Sequence, residues 1–158
     1  MRIEQRSRFR SRRRGATATE LAIILPLFVT IVLGAVDFGR FAYTSIAVSN
    51  AARAAASYAM MNPPDNSPSP STSWQGSVTQ RATDEMSGQP GFQPGGLTTS
   101  VSIASADESP YGTWRFTTTA SYPFQTLIPW NFSMFGTTLG IPSNLTLSST
   151  VTMRGIRP

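Results

Sequence analysis

The sequence predicts an α+β fold: a long N-terminal α-helix, transmembrane in one half and amphipathic in the other, packed on a small three-stranded antiparallel β-sheet. Three observations predict it. A cluster of Arg precedes an uncharged apolar run at 21–36. An Ala-rich stretch with three- and four-residue apolar spacing then continues to Asn62-Pro63-Pro64. Beyond residue 97, three segments alternate apolar and hydroxyl residues with a period of two.

Composition narrows the function. The 158 residues allow one domain with a modest core. There is no Cys and no His, which removes disulfides, thiolate metal sites, and the commonest general base and metal ligand. Ser-His-Asp and Cys-His hydrolases and most zinc hydrolases are excluded. Charged residues are 13%, about half the usual share of about 25%, and Ser and Thr replace them. All 13 basic residues are Arg. Residues 1–15 hold seven of them against Glu4, whereas 16–158 hold six Arg against seven acids. A nucleic-acid binder keeps its basic patch on the folded body; this body is close to neutral, so no nucleic-acid partner is expected.

The first element explains the basic tip. From Ala16 to Val36 the only charge is Glu20. These residues span roughly 31 Å as a helix, matching a hydrocarbon core of about 30 Å. Arg before such a run stays cytoplasmic, so the body is expected outside the inner membrane. A cleaved secretory signal, a plain signal anchor and a prepilin signal compete for this pattern. The run is long for a secretory signal, no Ala-x-Ala follows it, and Ser11-Arg12-Arg13 is a chance twin-arginine pair in an Arg-rich tip. Two details favour the prepilin signal, which is cut before the apolar run and leaves it attached. Gly15 marks the junction, and Glu20 is the fifth residue counting Ala16 as the first. A carboxylate at the edge of a membrane helix costs energy and is usually functional; the bland reading is headgroup placement near a helix N-terminus.

The stretch Arg14-Gly15-Ala16-Thr17-Ala18-Thr19-Glu20-Leu21-Ala22 with Leu25-Pro26-Leu27, Asp37-Phe38-Gly39-Arg40 and Asn50-Ala51-Ala52-Arg53-Ala54-Ala55-Ala56 resembles the type IV prepilin superfamily. More closely it is similar to the TadE-like (TadE/TadG) pseudopilins of tight-adherence, Flp-type pilus systems. The resemblance covers about the first 60 residues with the tip. Ser121-Tyr122-Pro123-Phe124 and the final strand resemble the family more weakly. The resemblance implies a pilin-like fold and leader cleavage between Gly15 and Ala16 by a prepilin peptidase. It implies a structural, non-enzymatic role in pilus assembly, with other pilins or pseudopilins, the assembly platform and the inner membrane as partners. No cofactor, metal or small-molecule substrate is implied. Glu20 matches the family's acidic residue, which supports processing and pairs with the amino terminus of a neighbouring subunit. Ala16 stands where many pilins have Phe. Physical chemistry agrees: a new amino group at Ala16 is cationic, with a reference pKa near 7.7–8.0, and a second copy's Glu20 can neutralise it and set axial register.

The resulting organisation is a leader at 1–15, a transmembrane helix at 16–36, its extracytoplasmic continuation at 37–61, a Pro/Gly-rich linker at 62–96 and a sheet domain at 97–158. The helix from 16 to 61 is roughly 69 Å long. Pro26 is expected to kink the membrane part. Asp37 and Arg40 mark the membrane exit and are spaced to pair at i, i+3. Phe38, Phe41, Ser45, Val48, Ala52, Ala55 and Ala59 form the expected packing stripe, and the small Ala face suits partner helices as well as the sheet. Ser77–Met86 reads as a short helix with Ser77 as N-cap; Gly88 to Gly96 breaks it. Val101 and Ile103, then Trp114 to Phe124, then Leu145 to Met153 are the strands. Asp107-Glu108-Ser109-Pro110-Tyr111-Gly112 joins the first two. The apolar connection 125–143, with Leu127, Ile128, Trp130, Phe132, Met134 and Phe135, packs on the sheet, rests on the membrane or meets a partner.

The remaining signals are weak. Asp84-Glu85 and Asp107-Glu108 read as solvated charge rather than an acid/base pair. Gly95-Gly96 lacks the context of a phosphate loop, and the sequons at Asn131 and Asn144 read as bare. The competing class is a single-pass anchored extracytoplasmic binding module with no part in filaments; an enzyme comes third.

Overall fold

The computed structural model describes residues 5–64, 70–105, 113–127, 131–134, 137–140 and 144–156. The chain divides into two compact units, Met1–Gly39 and Arg40–Pro158. Helix α1, Gln5–Met61, runs through both. It ends where Asn62-Pro63-Pro64 requires, but it starts before the expected residue 16. Arg and Gln are good helix formers, so the basic tip from Gln5 continues the helix instead of standing apart from it.

In the first unit, residues 15–33 of α1 are exposed all round, including Leu21, Ile24, Leu27, Phe28 and Ile31. A helix apolar on every face belongs in lipid or among other helices. It is the one helix among the described residues long and apolar enough to cross a membrane.

In the second unit, the α1 residues from Arg40 to Met61 pack on a three-stranded sheet. The strands are β1 (Thr98–Ser105), β2 (Thr113–Gln125) and β5 (Asn144–Ile156), in the order β1-β2-β5, all antiparallel. The α+β arrangement read from the sequence is therefore present. The period-two reading holds along β2, where Trp114, Phe116, Thr118, Ala120 and Phe124 are buried and Tyr122 is half-buried. A slip of one residue would turn this whole set outward. Pro123 is tolerated because β1 ends opposite Ser121, leaving this part of β2 with β5 alone as neighbour.

The helix stripe is shorter and wider than expected. Val48, Ala51, Ala52, Ala55, Ala56 and Ala59 are buried, but Phe38 is 71% exposed and Ser45 is exposed. Ala51 and Ala56 flank the expected line and complete an i, i+3, i+4 band. The core pairs methyl groups from the helix with Trp114 and Phe116 from the sheet. Large side chains on one layer thus fill the space that small ones leave on the other. At one end Phe41 meets Phe124 edge-on, with centroids 5.6 Å apart; at the other Met60 abuts Gly155. Residues 40–61 of α1 therefore run in the same direction as β5.

A second helix, α2 (Thr72–Met86), covers the sheet on the β1 side. It starts at Ser71 and not at Ser77. The Ser71 side chain accepts the Trp74 N–H at 3.3 Å, and the Trp74 indole donates to the Asn62 carbonyl. Ser77 lies inside the helix, its hydroxyl bonded to the Ser73 carbonyl at 3.2 Å. The cap and the indole tether outweigh the poor helix propensity of Thr72, Ser73 and Gly76. Val78, Ala82 and Met86, at i, i+4 and i+8, enter the core.

The outward sheet face carries cross-strand hydroxyl pairs: Thr117–Thr152 at 3.2 Å, Thr119–Thr150 at 2.9 Å and Ser121–Ser148 at 3.0 Å. The 125–143 connection, for which the sequence predicts no regular structure, contains a hairpin, β3 (Asn131–Met134) with β4 (Thr137–Gly140). Leu127 is exposed; Ile128, Trp130 and Phe135 lie outside the described residues, as does the Asp107–Gly112 connection.

Candidate functional site

The sequence-derived site residues fall on α1. Gly15, Ala16 and Glu20 occupy consecutive exposed turns. Ala16 and Glu20 are four residues apart and so share one helix face. The Thr19 hydroxyl donates to the carbonyls of Ala16 at 2.8 Å and Gly15 at 3.1 Å, so both carbonyls flanking the junction accept a bond from one side chain. Pro26 lies inside the helix; having no backbone N–H, it leaves the Ala22 carbonyl without its usual donor. The Thr30 hydroxyl bonds to the Pro26 carbonyl at 2.8 Å.

At the other end of the apolar run, Asp37 is buried, at 6% exposure. Arg40 is exposed, with its guanidinium 5.5 Å from the centroid of the Phe124 ring. Among the described residues, no cluster of three or more His, Cys, Asp or Glu could hold a metal ion. Asp84 and Glu85 are exposed on α2, and the Gln80 amide donates to Asp84 at 2.8 Å.

The sequence reading missed a pocket of about 230 Å³ that brings Arg40 together with Gln89, Phe92, Gln93, Tyr122, Phe124 and Gln125. The turn after α2 builds one wall. Gly91 takes φ +76°, which favours glycine, and Gly96 lets the chain approach the Tyr122 ring, where a Cβ would lie 3.2 Å from Cε2. The Gln93 N–H donates to the Tyr122 hydroxyl at 3.1 Å, and the Phe92 and Tyr122 rings lie 5.6 Å apart. The one signal of this wall in the sequence is the Gly/Pro-rich stretch 88–96.

Residues 15–57 match the family described as TadE-like protein. The match begins at the Gly15 junction, takes in Glu20, Pro26, Asp37 and Arg40, and ends within the Ala-rich band of α1. The resemblance read from the N-terminal motifs is thus found in that segment. No curated protein and no solved structure matches the chain.

Proposed function

We propose that the chain is the precursor of a minor pilin or pseudopilin that takes part in assembling a tight-adherence, Flp-type pilus. A prepilin peptidase removes residues 1–15, and the apolar helix stays attached as a single-pass inner-membrane anchor with its basic end in the cytoplasm. Its partners are the peptidase, other pilins or pseudopilins and the assembly platform. Glu20 of one copy pairs with the Ala16 amino group of a neighbour, a contact that neutralises both charges in low dielectric and fixes the stagger between helices. Its role is structural and involves no catalysis. Asp37 and Arg40 form the ion pair at the membrane exit, and Pro26 kinks the membrane part.

The observation that carries this reading is the family match over 15–57, which starts at the expected junction and contains the acid five residues in. The apolar helix, without burial of its own across 15–33, supports it. Intact-mass spectrometry of the protein from its native membrane tests it. The expected mature chain begins at Ala16 and retains the apolar segment. A chain that keeps residues 1–15, or one that has lost the apolar helix, overturns the proposal.

A further inference from the structure

We propose that the bodies of two copies join head to tail, with an arginine pair on the sheet of one seated against a Glu85 pocket on the helix layer of the other. The contact lies wholly within the unit Arg40–Pro158. It stands whether or not the leader is cut and the apolar helix spans a membrane.

Arg115 on β2 and Arg154 on β5 are direct cross-strand partners, and both are exposed. They close the outward row in which Thr117–Thr152, Thr119–Thr150 and Ser121–Ser148 pair by hydrogen bonds. Hydroxyls attract one another across strands, whereas two guanidiniums directly opposite repel and weaken the sheet. Neither Arg has an ion-pair partner among the described residues. The pair is a local excess of positive charge on a face otherwise built from hydroxyls and amides.

The complement lies on the other layer. A pocket of about 220 Å³ between α1 and the end of α2 is lined by Tyr43, Ile46, Asn50, Glu85 and Gln89. Glu85 is its one ionised group among the described residues, and it is exposed and has no ion pair there. Tyr43 and Ile46 are 56% and 60% exposed, so a single body leaves two large side chains in water beside a carboxylate. This is arginine-binding chemistry. A guanidinium forks onto the carboxylate, stacks on the tyrosine ring and lays its methylene stem along the isoleucine. The Gln89 amide donates to the Tyr43 carbonyl at 3.4 Å and ties the two walls together. The space suits one arginine side chain and is too small for a folded element.

One chain cannot bring its own two surfaces together. The arginines face away from the helices on the far side of the sheet, next to Gly155, which Met60 abuts. The pocket is at Ile46, roughly 20 Å back along α1. A second copy can supply the missing surface, and the charges then match: spare bases on one layer meet the spare acid on the other, with Asp84 exposed beside it. The two surfaces differ, so the contact is heterologous, and each copy added leaves one surface free for the next.

The chain has no cysteine, so introduced ones report the contact cleanly. Gly88→Cys stands at the pocket with nothing within 4 Å, and Thr152→Cys is exposed beside Arg154. The full-length chain in a neutral detergent is treated with a short bismaleimide. A mixture of the two single variants should crosslink at least about fivefold more than either variant alone, and a chain carrying both should give a ladder beyond the dimer. Glu85→Arg on the Gly88→Cys chain should cut the mixed yield about fivefold. Arg115→Glu with Arg154→Glu on the Thr152→Cys chain should then restore it. All three charged positions are exposed, so these changes leave the core intact. Equal crosslinking of one variant with itself, no response to Glu85→Arg, or failure of the paired reversal to rescue each overturns the proposal.

Discussion

Gly155→Ala tests how closely α1 lies on the sheet. Gly155 is buried on β5 opposite Trp114. A Cβ at this position would stand 2.9 Å from Cε2 of Phe116, 3.1 Å from Cγ of Met60 and 3.4 Å from the Met60 carbonyl oxygen. The first gap falls about 0.6 Å short of ordinary carbon–carbon contact. Met60 is flexible and can give way. Phe116 is fully buried, with Trp114 beside it at 6.2 Å between centroids, and has nowhere to go. Overpacking of this kind costs about 1–3 kcal/mol, and lower entropy of the unfolded chain returns about 0.4–1 kcal/mol. Taking the midpoints, the net loss is about 1.3 kcal/mol, or a melting temperature lowered by about 3–5 °C for a chain of this size. Near-ultraviolet circular dichroism of the purified full chain during heating reads the change. Gly76→Ala is the control: it lies on the exposed side of α2 with nothing within 4 Å, and it should raise the melting temperature through helix propensity. If Gly155→Ala melts at or above wild type while Gly76→Ala stabilises, the close approach of Met60 and Phe116 to β5 is wrong.

Thr118 is fully buried and its hydroxyl has no hydrogen-bond partner; Thr118→Val should stabilise by about 1 kcal/mol, seen as a higher urea midpoint at unchanged slope. Ser71→Ala removes the acceptor for the Trp74 N–H and should cost about 1 kcal/mol, with faster hydrogen exchange confined to the first turn of α2. Glu20→Ala should lower leader removal or pilus output while carbonate-resistant membrane insertion persists. Unchanged processing together with normal pilus output would remove Glu20 from the proposed mechanism.

Features controlled by local chemistry were legible in the sequence, and those set by distant contacts were not. The alternation from Trp114 to Phe124 marks β2 because a central strand buries one face whatever lies around it. Asn62-Pro63-Pro64 ends α1 because proline cannot continue the hydrogen-bond ladder. The start of α2 was misplaced because it depends on Trp74 reaching Asn62, 12 residues away. Spacing alone places Phe38 and Ser45 on the packing face, but the sheet meets α1 along the Ala band. The β3–β4 hairpin escaped notice because strands of four residues carry too little periodicity to register. For the candidate site, the proposed junction residues Gly15, Ala16 and Glu20 stand out in the sequence because they are neighbours in the chain, and they lie within the segment that matches the family. The pocket could not, since Arg40, Gln93 and Gln125 come from three separate elements that only the fold assembles.

Pro26 has a consequence for chemistry at the start of α1. Peptidases grip their substrates in stretched-out form, so a bond inside a helix must first be unzipped. Helices come apart cooperatively from a free end, one bonded turn after another. The missing donor at Pro26 acts as a firebreak in that process: under the proposed cleavage, the turns before it can open around Gly15–Ala16 while the remainder of α1 stays wound. Filling the gap with Ala would join the two stretches into one cooperative rod and make the bond proposed for cleavage harder to reach.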